Sequence, residues 1–163
     1  MDRRIVIAAF ASTLFAATAA FAEGKACEIT VPDELAGIMG GKPALKPSTL
    51  PNGVEVCTGK AGGSTVTVRL FSKSADLEEY REKSGVDNLK KLGATVEARK
   101  FSGVNCTAVA PGGKAARQPY TTACTVSNKQ KHAVIEVSNP SLEISMKDLA
   151  PIAERIGSRF WQL

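Results

Sequence analysis

Four cysteines, Cys27, Cys57, Cys106 and Cys124, constrain this chain more than any other feature, because pairing them decides which segments must lie side by side. Four cysteines allow three connectivities. The midpoint of Cys106 and Cys124 is Ala115, in the middle of the turn-like stretch from Pro111 to Pro119, which reads Pro-Gly-Gly-Lys-Ala-Ala-Arg-Gln-Pro. A hairpin about that stretch sets the two cysteines opposite each other, at a Cβ separation of about 4.5–5.5 Å that a small adjustment makes bondable. Cys27 and Cys57 then pair by elimination. Each bridge is expected to contribute about 2–4 kcal/mol by restricting the unfolded chain. The competing use of the thiols, in redox or metal chemistry, lacks its spacing: there is no Cys-x-x-Cys and no cysteine–histidine cluster.

Disulfides require an oxidising compartment, and the N-terminus supplies a route to one. Arg3 and Arg4 precede an apolar run from Ile5 to Phe21, broken only by Ser12, Thr13 and Thr18, and the run ends in Ala20-Phe21-Ala22. A charged segment, an apolar segment and small residues three before and one before a scissile bond together describe a signal peptide over residues 1–22, cleaved after Ala22. The alternative, a retained anchor, needs about 20 consecutive apolar residues. Lipid modification would need a cysteine directly after the cleavage site, whereas Cys27 follows Glu23, Gly24, Lys25 and Ala26. Removing 22 of the 163 residues leaves 141, one domain at 23–163 with no second apolar run able to span a bilayer. Asp2, Arg3 and Arg4 leave with the leader, so 21 basic and 16 acidic residues become 19 and 15, a net charge of +4. That mild excess falls short of a nucleic-acid-binding footprint.

Along the remaining chain, Pro32 to Met39 reads as a short helix stopped by Gly40-Gly41, followed by a loop punctuated by Pro43, Pro47 and Pro51. Val54–Thr58 and Ser64–Ser72 alternate as strands about a turn from Gly59 to Gly63. Ala75 to Leu92 is helical in composition, but Leu77 and Tyr80 share one stripe while Val86, Leu89 and Leu92 share another, so Gly85 breaks it into two pieces. Extended structure returns from Ala94 to Ala110, then at Tyr120–Ser127 and His132–Val137. Leu149, Ile152, Ala153, Ile156 and Phe160 recur at helical spacing, with Asp148 as the expected N-cap and Pro151 expected in the first turn. The sum is an α+β domain: a mainly antiparallel sheet of about five strands, with helices, the C-terminal one included, packed on one face, and two disulfides. Phe71, Phe101 and Phe160 are expected in the core.

The early helix, Gly40-Gly41, the cysteine-bearing strand at Cys57 and the final amphipathic helix loosely resemble the small cysteine-stapled α+β domains of bacterial envelope lipoproteins, without the lipidated cysteine. The resemblance covers the whole mature chain as a pattern only. It implies a binding or accessory role and transfers no active-site residue.

Catalytic and metal motifs are missing from the sequence. His132 is the only histidine; it stands beside Lys129 and Lys131, with no Gly-x-Ser-x-Gly elbow and no Ser-x-x-Lys pair, and reads as a solvated edge histidine. Asp76, Glu78, Glu79 and Glu82 read as an exposed helix face and not as a ligand set, so no metal or other cofactor is expected. Gly59-Lys60-Ala61-Gly62-Gly63 has phosphate-loop composition but lies between strands. Lys114 and Arg117, on the loop that the Cys106–Cys124 bridge would hold, are the first candidates for partner contact, and Trp161 the next. The chain is therefore expected to act in the periplasm or outside the cell as a non-enzymatic binding or interaction module. An inhibitor, immunity or accessory protein fits, with another envelope or secreted protein, or an anionic envelope component, as partner. A small ligand-binding protein with a pocket between sheet and helices is the alternative. Mass spectrometry of the exported product should find an N-terminus at Glu23; an intact mass that retains Met1 to Ala22 would overturn the compartment argument.

Overall fold

The structure, a computed structural model, describes residues 24–163. The leader expected over residues 1–22 lies outside the described residues. Seven strands form one antiparallel sheet: β1 (Ala44–Thr49), β2 (Glu55–Ala61), β3 (Ser64–Phe71), β4 (Thr95–Phe101), β5 (Val104–Ala110), β6 (Tyr120–Asn128) and β7 (Lys131–Asn139). Among the described residues five α-helices accompany them, α1 (Lys25–Glu28), α2 (Pro32–Met39), α3 (Ser74–Lys83), α4 (Val86–Lys91) and α5 (Met146–Gln162). The sheet order β1-β2-β3-β7-β6-β5-β4 joins two meanders, β1 to β3 and β4 to β7, along the β3–β7 pair. Helices α3 and α4 form the connection between the meanders.

Period-two alternation decides the two faces of this sheet. Val66, Val68 and Leu70 of β3, Ala133, Ile135 and Val137 of β7, and Cys124 and Val126 of β6 face one way and are buried with Leu149, Ile152, Ala153, Ile156 and Phe160 of α5. Each large apolar side chain so buried contributes about 1.5–3 kcal/mol. Helices α1 and α2 close the same core through Ala26, Ile29, Leu35 and Met39. Cys27 on α1 is bonded to Cys57 on β2. Across the surface, the Arg159 guanidinium donates to both carboxylate oxygens of Glu34 (2.9 and 2.6 Å) and to the carbonyl of Ile29 (3.1 Å), which ties α5 to α2. Those hydrogen bonds hold the Glu34 carboxyl below the usual carboxylate range, against the opposing effect of partial burial.

The second disulfide joins Cys106 to Cys124, which are directly opposite in the β5–β6 register with their Cα atoms 4.1 Å apart. The hairpin symmetry about Ala115 thus gives the observed pairing. Gly85 sits in the left-handed region (φ 69°) between α3 and α4, as the change of stripe requires. No helix among the described residues is long and apolar enough to cross a membrane.

Among the described residues the strand count is seven, not about five, and the helices cover both faces, not one: α1, α2 and α5 lie on one side of the sheet and α3 and α4 on the other. The proline-punctuated segment contains β1, because an edge strand tolerates Pro47, whose absent N–H leaves no interior ladder position empty. The extended stretch from Ala94 is two strands, β4 and β5, folded back at Ser102 and Gly103, both at positive φ (43° and 93°). The last helix begins three residues earlier than Asp148 suggests, at Met146 after Ser145, so Pro151 lies inside it and not in its first turn. His132 is buried, not solvated: β7 is the central strand of the sheet, so the side chain has neighbours on both sides. Phe71 and Phe160 are buried, whereas Phe101 at the β4 edge is half-buried.

Gly157 shows how closely α5 approaches the sheet. A Cβ there would stand 2.5 Å from Val126 Cγ1 and 3.2 Å from Cγ2. An alanine normally favours a helix over glycine by up to about 1 kcal/mol, but this methyl has no room. Gly157→Ala is expected to lower stability to urea by about 1–3 kcal/mol. Combined with Val126→Ala it should cost less than the two single losses added together, and strict additivity would show that the methyl does not meet Val126.

Candidate functional site

The sheet face turned away from α5 is only partly covered, since α3 and α4 are short. Helix α3 seats Leu77 and Tyr80 against Val54, Val56, Phe71 and Val134. Helix α4 seats Val86 and Leu89 against Ala94, Val96, Val109 and Ala115. Between them a groove of about 460 Å³ opens over β5, β6 and β7, within the usual range for small-molecule sites.

Its walls have three chemical parts. Val86 and Leu89 above, with Val109, Ala123 and Val134 below, supply apolar surface. Asn105, Thr107, Thr121 and Thr125 on the floor and Gln118 at the rim supply neutral donors and acceptors. None of these five side chains is engaged in a side-chain hydrogen bond among the described residues. Thr122, on the covered face of the same strand β6, differs: its hydroxyl donates to the carbonyl of Ile144 at 2.6 Å, as a buried hydroxyl must. The third part is a polar cluster at one end. Tyr80 donates to Glu136 Oε2 at 2.9 Å, and Arg69 donates to the Tyr80 hydroxyl at 3.4 Å. The Arg69 guanidinium also lies 4.9 Å from the centre of the Tyr80 ring and 3.8 Å from Glu136 Oε2. Burial first, and the Glu136 carboxylate second, push the Tyr80 hydroxyl well above its ordinary value. Arg81 stands at the mouth of the groove.

The loop carrying Lys114 and Arg117 borders this groove. Both side chains are exposed. The loop is docked on the end of α4 by backbone approaches that leave no space for side chains: a Cβ at Gly112 would lie 2.5 Å from Gly93 O, and one at Gly113 2.7 Å from Leu92 O. Lys114 N donates to Leu92 O at 2.8 Å. Gln118 and Pro119, directly after Arg117, then line the groove. Trp161 belongs elsewhere. It is half-buried against the α5 core on the opposite side of the sheet, with its indole N–H enclosed and unpartnered. The four cysteines serve as the two bridges. The sequence reading missed Tyr80, Arg69 and Glu136 as a unit, and the floor residues; the signal available was the alternation of Thr121, Ala123 and Thr125 with Thr122, Cys124 and Val126.

His132 lies outside the groove. Its Nδ1 is 2.8 Å from Ser127 Oγ and its Nε2 is 2.9 Å from Ser74 Oγ, so the imidazole links the first residue of α3 to the β6–β7 hairpin. Among the described residues no carboxylate orients it. Among the described residues no group of three or more His, Cys, Asp or Glu is placed to hold a metal ion. Burial first, and the Arg81 charge second, hold the His132 pKa below its ordinary value of 6.5. A histidine depressed in the folded state contributes stability that is fully present above the unfolded value and is lost as pH falls through the folded one. The urea midpoint should therefore drop between pH 7 and pH 5 more steeply in the wild type than in His132→Gln. Equal slopes would dissociate the histidine from acid sensitivity.

No protein-family model, curated protein or solved structure gives a significant match to this chain.

Proposed function

We propose that this protein is a non-enzymatic binding module, exported to the periplasm or beyond, and that a small amphiphilic ligand occupies the groove between α3–α4 and the sheet. The observation that carries the reading is the groove itself, about 460 Å³ with apolar walls and a floor of hydroxyl and amide groups left without partners among the described residues. Neutral hydrogen-bonding groups set in an apolar cleft orient a ligand without demanding a full charge from it. The charge at the groove's end is already balanced, since Arg69 stands against Glu136. Export is supported by Arg3, Arg4 and the apolar run to Ala22, and by the two disulfides.

A second reading has its own observation. Lys114 and Arg117 are exposed on a loop fixed at both ends and in no ion pair among the described residues, a presentation that suits a protein partner in the envelope or an anionic envelope component. An inhibitor, immunity or accessory role would follow from such a contact.

The two are separable with 1-anilinonaphthalene-8-sulfonate as a probe of the groove and with capture from an envelope extract as a probe of the loop. Ala123→Phe places a ring on the groove floor and is expected to weaken dye binding at least tenfold, with the circular dichroism unchanged. Lys114→Ser with Arg117→Ser should leave dye binding intact and reduce capture. Dye binding that survives Ala123→Phe would remove the groove from consideration.

A further inference from the structure

The sheet has two outer edges, and they end differently. Strand β1 carries Pro47, which has no N–H to offer another strand. Strand β4 is seven residues long, holds no proline, and pairs with β5 from Thr95 to Phe101 without a bulge. Thr95, Glu97, Ala98, Arg99 and Lys100 are exposed, and Val96 and Phe101 half-buried. The two-residue turn Ser102-Gly103, with both residues at positive φ, makes Phe101 and Val104 a hydrogen-bonded pair. Alternation from that pair directs the N–H and C=O groups of Thr95, Glu97 and Arg99 toward β5. Those of Val96, Ala98 and Lys100 point outward, with no strand beyond them among the described residues. An edge of this length with neither proline nor bulge is a template for another strand, and its charges, which would repel a strand of like sign, are of both signs, Glu97 beside Arg99 and Lys100.

We propose that β4 pairs antiparallel with β4 of a second copy of this chain, about a twofold axis at Ala98. This register matches outward groups along the whole strand: Ala98 with Ala98 of the second copy, and Val96 with its Lys100. Glu97 then faces Arg99 of the second copy, and Arg99 faces its Glu97, at the non-hydrogen-bonded positions where side chains approach most closely. Sliding the strands to either neighbouring register that keeps the outward groups paired sets Glu97 against Glu97, or Arg99 against Arg99. The charges thus choose both the occupant and the register. Within one copy, Arg99 Nε already donates to Glu97 Oε1 at 2.7 Å, both side chains lying on the α5 side of the sheet. The second copy would close these two charges into a ring of four. A twofold of this kind stands perpendicular to the sheet, so both grooves open on the same side of one continuous sheet. The pairing does not depend on what the groove binds.

Sedimentation equilibrium of the oxidised exported protein is expected to give a reversible monomer–dimer equilibrium in the micromolar range. Ala98→Pro deletes an N–H that points away from β5 and should leave only monomer with an unchanged circular dichroism spectrum. Glu97→Arg places like charges opposite each other and should weaken the dimer by about tenfold. Adding Arg99→Glu to it restores opposite charges and should return the dimer to within a few-fold of wild type, a readout that stands even where Ala98→Pro disturbs the strand. A protein that remains monomeric overturns the proposal, as does a dimer indifferent to Ala98→Pro and to the charge reversal. A monomer that accepts an added extended peptide along β4, in place of its own copy, overturns it as well.

Discussion

The structure depends on the burial of one face of the sheet under α5. Among the described residues this is the only helix long enough to cross several strands, and its apolar stripe from Leu149 to Phe160 meets β5, β6 and β7 through small or β-branched residues. Contact that close needs Gly157 against Val126 and leaves no space between α5 and β6 at that point. The opposite face is left to α3 and α4, which together are shorter than α5 and are broken at Gly85. Two short helices shield the margins of the face, over Phe71 and Val134 on one side and Val96 and Val109 on the other. The middle stays open, and the residues there are of the kind that suits a half-solvated strand, threonine at 107, 121 and 125. The groove is therefore a direct consequence of unequal cover on the two faces.

The disulfides reinforce the covered side of this division. Cys106–Cys124 clasps the β5–β6 hairpin below its longest connection, and the glycine contacts of that connection with Gly93 fix its far end to α4. The loop between is thus held at two places before it reaches Gln118 and Pro119 at the groove rim. Cys27–Cys57 has a different task. Helix α1 has four residues, too few to hold its place by its own hydrogen bonds, and the bridge binds it to β2 inside the α5 core.

Much of this architecture was legible in the sequence where a single period governs a segment. The final helix, the hairpin about Ala115 with its cysteines, and the change of stripe at Gly85 all follow from local spacing. What escaped was set by position in the sheet, which no local pattern carries. Segment 44–49 contains a proline and little apolar surface, yet it forms β1 because an edge needs neither a complete ladder nor burial on both faces. His132 sits among polar neighbours in sequence, yet the β3–β7 pairing makes its strand central and encloses it between Ser74 and Ser127. The Tyr80–Glu136–Arg69 cluster draws one residue each from α3, β7 and β3, and its parts meet only through the join between the two meanders. The loop at Lys114 and Arg117 was found from the sequence, but its adjacency to the groove follows from docking on α4.

That cluster also decides what kind of surface the groove presents. A lone carboxylate on the floor would select cations, and a lone guanidinium would select anions. Glu136 and Arg69 stand 3.8 Å apart with the Tyr80 hydroxyl bonded to both, so each satisfies the other before anything enters. The Tyr80 hydroxyl is a donor at neutral pH in any case, and its raised pKa extends that role to more alkaline pH than an ordinary tyrosine allows. What remains free to make contacts inside the groove is the neutral row of Asn105, Thr107, Thr121 and Thr125 opposite Val86 and Leu89, with Gln118 at the rim and the Arg81 charge at the mouth. Selectivity in such a site comes from where hydroxyl and amide groups lie relative to apolar surface, since a ligand that covers them without offering hydrogen bonds leaves buried polar groups unpaired.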